Sequence, residues 1–356
     1  MVHPEKSCCG NAAQEPAASC CCAGTPGPAP APAIRTTTSV ITGKDRWDHF
    51  LARWSVNRMG RIVPPGLYRL GSPDKNSPVF ASANYTLSFD ALRSALAGTD
   101  AWILVLDTKG INVWCAAGKG TFGTDELVRR IQVTGLSDKV SHRRIILPQL
   151  GAPGISAHEV ARRSGFMVEY GPVRARDLPA YLATSTATQE MRTVRFTLVD
   201  RLVLAPMEMV HVLLPMIAAA VVLYFLAGPV AALAAVAAVL AGTVLFPALL
   251  PVIPTRDFSS KGFVLGAIVA IPFAVAFARA PGLSGTSQVI AVLVPFLIIP
   301  AVVAYLALNF TGSTTFTSRT GVKKEIFWYV PAMALMAGAG TILGIALGIL
   351  RVAGVA

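Results

Sequence analysis

Cysteine is nearly absent from most of this 356-residue chain. Five of its six cysteines (Cys8, Cys9, Cys20, Cys21 and Cys22) stand within the first 22 residues, and from Ala23 onward Cys115 is the only thiol. Cys115 therefore has no disulfide partner in the folded part and no second ligand at C-x-x-C spacing. The same shortage leaves that part without iron–sulfur cysteine spacing and its apolar runs without cysteine pairs, which speaks against a thiol-lined metal transporter. Charge is also scarce: 14% of residues are charged and 53% hydrophobic, too apolar a balance for an ordinary soluble protein. The first 40 residues lack an apolar core segment, so no secretory signal is expected.

The apolar excess is uneven. Charges recur every few residues up to about Asp200, and beyond Pro206 come long runs almost free of them. Five runs, near 207–226, 229–250, 262–280, 287–309 and 326–350, are each long enough at about 20 residues to cross a bilayer as helices. Only Ala227, Gly228 and Pro229 join the first two, a tight helical hairpin. The second and fourth connections carry Arg256, Lys261, Arg319, Lys323 and Lys324, against Arg279 and Arg351 on the opposite side. The positive-inside rule then puts the N-terminal head in the cytoplasm and the C-terminus outside a cytoplasmic (inner) membrane. In that reducing compartment the thiols stay free. No ionisable residue falls deep inside a run, Glu208 and His211 lying at the entrance of the first, so the region reads as an anchor and scaffold within the lipid bilayer. Its abundant Gly and Ala suit close helix packing. Arg192, Arg195 and Arg201 precede the first run, where anionic lipid attracts cations. No stacking or recognition motif accompanies the basic surface, so nucleic acid is not an expected partner.

Four regions follow. Residues 1–40 form a Cys/Pro/Ala-rich tail expected to be disordered, since it has too little apolar surface to offset the entropy of ordering. Its thiols either bind soft metal ions where two or three converge or are incidental. Residues 41–190 form an α/β head, 191–206 a juxtamembrane linker, and 207–356 an all-α membrane domain of five transmembrane helices. In the head, strands predicted at 78–84, 101–107, 142–150 and 166–173 alternate with helices at 88–98, 124–132 (Thr124 as its cap), 156–165 and 174–184. The alternation implies a Rossmann-like, mostly parallel sheet with helices on both faces. Ligands in such sheets bind at the carboxyl ends of the strands. Those ends are Asn84, Tyr85 and Thr86; Asp107, Thr108 and Gly110; the loop holding Gly151 and Gly154; and Tyr170 and Gly171.

Directly after one of them comes NVWCAAGKG, Asn112 to Gly120. It is not a Walker loop, because Gly follows Lys119 and no glycine stands at the required earlier offset. Gly118, Gly120 and Gly123 fit a dinucleotide fingerprint formally but do not follow the strand directly. A thiol nucleophile needs a base, and the spacing of His49, His142 and His158 nominates none. A small buried hydrophobe is the ordinary fate of a lone cysteine. Two features weigh against that fate here. If Asn112 caps a short helix, Cys115 is its third residue, where free backbone N–H groups favour a thiolate. Ala116, Ala117, Gly118 and Gly120 then leave the surface around the sulfur bare, with Trp114 packed behind it and Lys119 at the rim. Such a surface suits axial ligation of a planar metal macrocycle.

This motif resembles the signature of the corrinoid protein family of microbial mercury methylation. SANYTLSFDALR (82–93) and LPQLGAPGISAHEV (147–160) are similar to the corrinoid domain of the corrinoid iron–sulfur protein, and a head followed by five spans also fits. The resemblance implies a cobalamin or related corrinoid, bound base-off, with Cys115 as the lower axial ligand of cobalt. It implies that Asn112, Val113, Trp114, Ala116, Ala117, Gly118 and Lys119 hold the helix against the corrin, with the strand-end loops around the rest. The implied activity is a methyltransferase passing a methyl group from methyl–cobalt(III) to inorganic Hg(II), forming methylmercury. The implied partners are a ferredoxin-like protein with 4Fe-4S clusters as electron donor and a methylated folate or its protein carrier as methyl donor. Two alternatives remain open: a membrane-anchored soft-metal binding or trafficking protein using Cys8, Cys9, Cys20, Cys21 and Cys22, and a corrinoid methyltransferase with another substrate.

Overall fold

The computed structural model describes residues 34–353 apart from Ser284 and Thr315. The five N-terminal cysteines, and with them the soft-metal expectation, lie outside the described residues. In chain order the head contains β1 (Arg35–Thr37), α1 (Gly43–Arg53), β2 (Gly66–Leu70), β3 (Val79–Ala83), α2 (Thr86–Ala95) and β4 (Ala101–Leu106). There follow α3 (Val113–Lys119), α4 (Thr124–Val133), α5 (Leu136–Lys139), β5 (Arg144–Leu147), α6 (Ala157–Ser164), β6 (Met167–Tyr170) and α7 (Leu178–Thr184).

Six apolar residues in succession, AWILVL, make β4 a strand buried along its whole length. A strand with both faces covered belongs in the middle of a parallel sheet. The sheet order is β1-β2-β4-β3-β5-β6. Strands β4, β3, β5 and β6 run parallel, so the head is α/β with a mostly parallel sheet. Alternation along β4 divides the core: Trp102, Leu104 and Leu106 face α3, α4 and α6, whereas Ile103 and Val105 face α2 and α7.

Three details differ from the sequence expectation. First, β2 pairs antiparallel with β4, and β1 pairs parallel with β2, so two of the six strands oppose the rest. Strand β1 also begins at Arg35, ahead of residue 41, where the sequence places the start of the head. A buried ion network holds this segment: Asp90 receives Arg93 Nε at 2.6 Å and lies 2.7 Å from His49 Nε2, while Arg93 also donates to the carbonyls of Thr38 and Val40. Second, Thr124 is the first residue of α4 and Gly123 its cap, because the Thr124 hydroxyl instead accepts the Ser156 N–H at 2.9 Å. Third, the segment from 174 is a single 3-10 turn, Ala175–Asp177, before α7 begins.

Among the described residues, five helices beyond the head are long and apolar enough to cross a membrane. The first is Ala205–Ala227, the third Phe258–Ala278, the fourth Gly285–Asn309 and the fifth Arg319–Val352. The second starts at Pro229 and passes through one π turn, Ala241–Leu245, before ending at Leu249. The third begins four residues before its apolar run because Glu325 caps it from the fifth helix. The Glu325 carboxylate accepts the N–H groups of Phe258 and Ser259 at 3.2 and 2.9 Å. Backbones approach closely where glycines permit. A Cβ at Gly262 would lie 2.5 Å from Ala304 Cα, and one at Gly266 2.4 Å from Pro300 Cα. Small residues at such crossings are what membrane helices pack through, because lipid offers no hydrophobic drive between them.

Gly266→Ala is accordingly expected to separate the third and fourth helices and to destabilise the domain by about 1–3 kcal/mol. Thermal unfolding of the full chain in detergent, followed by loss of its monodisperse peak, measures this. An unchanged midpoint contradicts the close approach.

Candidate functional site

Strands β3, β4, β5 and β6 deliver their carboxyl ends to one edge of the sheet. Asn84, the residue after β3, is buried, and its side chain organises that edge. Its Oδ1 accepts the N–H groups of Thr108 and Gly110 at 3.1 and 3.0 Å and lies 2.8 Å from the Thr108 hydroxyl. Its Nδ2 donates to Asp107 at 3.3 Å. The loop after β4 is thereby fixed, including its left-handed residues Lys109 (φ 57°) and Gly110 (φ 71°). The chain leaves this loop into α3.

Asn112 caps α3, and its Oδ1 accepts the Cys115 N–H at 2.9 Å, so Cys115 is the third helical residue, as its spacing predicts. Gly120, in the left-handed conformation at φ 82°, ends the helix. A seven-residue helix has little stability of its own and depends on its caps and on packing. The packing comes from Ala116 and Ala117, which are buried against the core. These two alanines therefore do not bare the surface around the sulfur. Gly118 and Gly120 do, because a Cβ on either would meet nothing within 4 Å.

Gly151 and Gly154 come together with α3 from beneath. A Cβ at Gly154 would lie 2.2 Å from Phe122 O and 3.0 Å from Ala117 Cα, and one at Gly151 2.6 Å from the Phe122 ring. Their missing side chains serve helix packing. Other predicted residues are engaged locally. The Thr86 hydroxyl donates to Arg61 O at 2.8 Å, and the Tyr170 hydroxyl to Ile155 O at 2.9 Å. Tyr85 is buried beneath the guanidinium of Arg58, 5.6 Å from its ring centroid.

The first turn of α3 opens on a cavity of about 230 Å³. Asn112, Val113 and Trp114 line it together with Ser82, Ser88 and Gly171. Trp114 thus faces the cavity at the strand ends. Cys115 lies next in sequence beside it, half-buried. Burial pushes the Cys115 thiol up, while the positive charges of Arg58 and Lys119 and the bond to Asn112 pull it down. Burial wins, so the helix start does not favour a thiolate as the sequence suggests.

Two contributors escape sequence reasoning because they come from far along the chain. Arg58 acts on Cys115 from a segment before β2 and also contacts Met207 Sδ at the start of the first membrane helix. Arg319 reaches from the fifth helix and donates to Gly118 O at 2.6 Å. No local spacing signals either.

A family model described as CO dehydrogenase/acetyl-CoA synthase delta subunit matches residues 57–182, a stretch that holds this edge and ends before the first membrane helix. Among curated proteins, the gamma subunit of the acetyl-CoA decarbonylase/synthase complex of Methanopyrus kandleri is 36% identical over 122 residues, 34% of this chain and 26% of that one. Its counterpart from Methanocaldococcus jannaschii is 40% identical over 97 residues, 27% and 20% of the two chains. That of Methanothermobacter thermautotrophicus is 32% identical over 127 residues, 35% and 27%. The chain spans about a quarter of the length of these relatives.

Two outcomes follow from this geometry. Asn112→Ala removes the cap and is expected to destabilise α3 by about 1 kcal/mol, with Asn112→Ser retaining most of it. Faster hydrogen exchange of the Cys115 and Ala116 amides is the readout. The rate of Cys115 alkylation is expected to rise with pH to a midpoint above that of an ordinary thiol. Arg58→Gln moves the midpoint higher still, as peptide-resolved mass spectrometry of the alkylated chain shows. A midpoint below the ordinary value contradicts the dominance of burial.

Proposed function

We propose that the head binds a corrinoid through Cys115 and that the protein is a corrinoid-dependent methyltransferase acting on inorganic Hg(II). One observation carries the reading: a single sulfur on a capped, seven-residue helix at the carboxyl edge of four parallel strands. Among the described residues no group of three or more His, Cys, Asp or Glu side chains converges on a metal position. A metal held at Cys115 must therefore bring its other ligands with it, as a macrocycle does. The similarity of residues 57–182 to acetyl-CoA synthase subunits supports the same reading.

The residues fit such a group. Cys115, half-buried, supplies a soft donor on the helix whose first turn, Asn112 to Trp114, lines a cavity together with the small residues Ser82, Ser88 and Gly171. Asn112, Val113 and Trp114 would border the ring, and Gly118 leaves the helix surface open beside the sulfur. The strand-end residues Asn84, Asp107, Thr108 and Gly110 act from behind, by fixing the loop that launches α3. When bound, a corrinoid supplies a transferable methyl group, and transfer to Hg(II), itself an electrophile, requires electrons to leave with the methyl. Cys115, as a thiolate held against such a group, would supply electron density that favours that direction. To become that thiolate, Cys115 must release the proton that burial holds on Sγ, and Arg58 and Lys119 stabilise the anion that remains. The folded part has no iron–sulfur spacing, so reducing equivalents come from a separate ferredoxin-like partner with 4Fe-4S clusters. A methylated folate or its protein carrier supplies the methyl group. The head faces the cytoplasm of a cell whose inner membrane holds the five helices.

A second reading, methyl transfer to another acceptor, draws on the names of the relatives, which belong to acetyl-CoA chemistry.

The full chain, purified anaerobically and loaded with cobalamin, provides the test. Sulfur ligation predicts a visible spectrum distinct from that of free cobalamin, lost in Cys115→Ala. Thiolate binding releases one proton, so the apparent affinity rises about tenfold per pH unit until the thiol's own value is passed, then levels. Methylation of Hg(II) with a low-potential reductant falls to background in Cys115→Ala. A Cys115→Ala protein with the same spectrum removes the axial role. Methyl transfer to other acceptors but not to Hg(II) selects the second reading.

A further inference from the structure

Between the third and fifth membrane helices, at the ends nearer the head, lies a cavity of about 630 Å³. Its wall changes character along the fifth helix. Asp257, Lys324 and Glu325 stand at one end, Trp328 and Tyr329 a turn further, and Ala332 and Met336 beyond them. Positions 324, 328, 332 and 336 recur every four residues and so share one stripe. Twelve residues of helix span about 18 Å, a little over half of a ~30 Å hydrocarbon layer. A polar end, an aromatic middle and an apolar end follow the profile of one bilayer leaflet, with Trp and Tyr at head-group level.

The charges at the polar end are not equally available. Glu325 is committed to the first N–H groups of the third helix and to the Ser259 hydroxyl at 2.9 Å. Asp257 accepts the Tyr329 hydroxyl on Oδ2 at 2.8 Å, which leaves Oδ1 without a side-chain partner among the described residues. Lys324 is exposed and forms no ion pair or hydrogen bond there. A cation and a carboxylate thus line one cavity without pairing with each other, which leaves the space between them for a group carrying both signs.

We propose that this groove binds a phosphoethanolamine lipid, with its phosphate on Lys324, its ammonium on the free oxygen of Asp257, and an acyl chain along Trp328, Ala332 and Met336. The chemistry separates this head group from its neighbours. A glycerol head group carries no cation and leaves Asp257 facing a second anion. A choline head group carries a cation without N–H donors and cannot hydrogen-bond the carboxylate. The proposal is independent of the reading of Cys115.

Native mass spectrometry of the full chain in detergent, titrated with dioleoyl phosphatidylethanolamine, phosphatidylcholine and phosphatidylglycerol, tests it. Phosphatidylethanolamine is expected to bind roughly tenfold more tightly than either, the worth of a charge-assisted hydrogen bond. Asp257→Asn keeps an acceptor for Tyr329 and removes the charge, and is expected to erase the preference over phosphatidylcholine. Lys324→Gln, on an exposed side chain whose loss leaves the fold intact, weakens phosphatidylethanolamine binding, and Met336→Trp fills the tail end and weakens all three. Equal binding of the three lipids, a preference for phosphatidylglycerol, or phosphatidylethanolamine binding unmoved by Lys324→Gln overturns the proposal.

Discussion

The buried amide of Asn84 fixes the relation between the ends of β3 and β4, and the position of Cys115 follows from that relation. One carbonyl oxygen takes bonds from Thr108 and Gly110, and the amide nitrogen reaches Asp107. A buried polar group must find partners within the protein or cost the full price of its desolvation. Here the partners are the backbone of a loop that has to turn twice through left-handed conformations, at Lys109 and Gly110. The amide therefore holds a conformation that the loop alone would not keep. Asn112, five residues after Asp107, then starts the helix in a set direction and places the sulfur at its third position.

On that helix two opposing influences act on one thiol. Burial raises it, and Arg58 and Lys119 lower it. A sulfur kept neutral by burial does not react with whatever diffuses past, because the thiolate is the nucleophile and the ligand. The cations matter once a partner takes the sulfur, since they remain beside the anion that forms. The same arrangement thus protects the thiol and prepares it for a soft electrophile or metal. Gly118 and Gly120 keep the approach open on the solvent side, while Gly154 lets the loop after β5 press against the helix from below.

Much of this was legible in the chain itself, and the reasons are local. The run Ala101–Leu106 is too apolar to be anything but a central strand, and the glycine at 165 ends a helix where its spacing suggests. The Asn112 cap is readable because capping is a three-residue interaction. The membrane helices are readable because length and hydropathy decide them, although capping by Glu325 moves the start of the third. What was not legible depends on distance. Strands β1 and β2 are short, β2 passes to β3 without a helix between them, and both oppose the other strands because β2 pairs antiparallel with β4 and β1 follows β2. The inward facing of Ala116 and Ala117 depends on where the loop holding Gly154 lies, which no spacing within α3 reveals. Burial, which sets the state of Cys115, is likewise a property of the assembled head.

The membrane helices bear on the site through the same principle of unsatisfied backbone. The last carbonyls of a helix have no partner within it. Near the end of α3, Ala116 O and Ala117 O are taken by the turn at Gly120 and Thr121. The carbonyl of Gly118 is taken by Arg319, from the first residue of the fifth helix and 201 residues away. A guanidinium is favoured at that position by the negative end of the helix dipole as well as by the bond. Arg58 completes a second connection, between the surroundings of Cys115 and Met207 on the first helix, and Arg174 a third, its guanidinium paired in two-pronged fashion with Asp200 at 3.1 and 2.5 Å. Two of these arginines, a residue better suited than lysine to a fixed planar contact, therefore tie the head to the membrane helices, Arg319 through α3 itself and Arg58 from beside Cys115, while Arg174 ties the head to the segment just before the first of them. The orientation of that helix is consequently set from both sides: by Asn84 and the sheet on one, and by the membrane domain on the other.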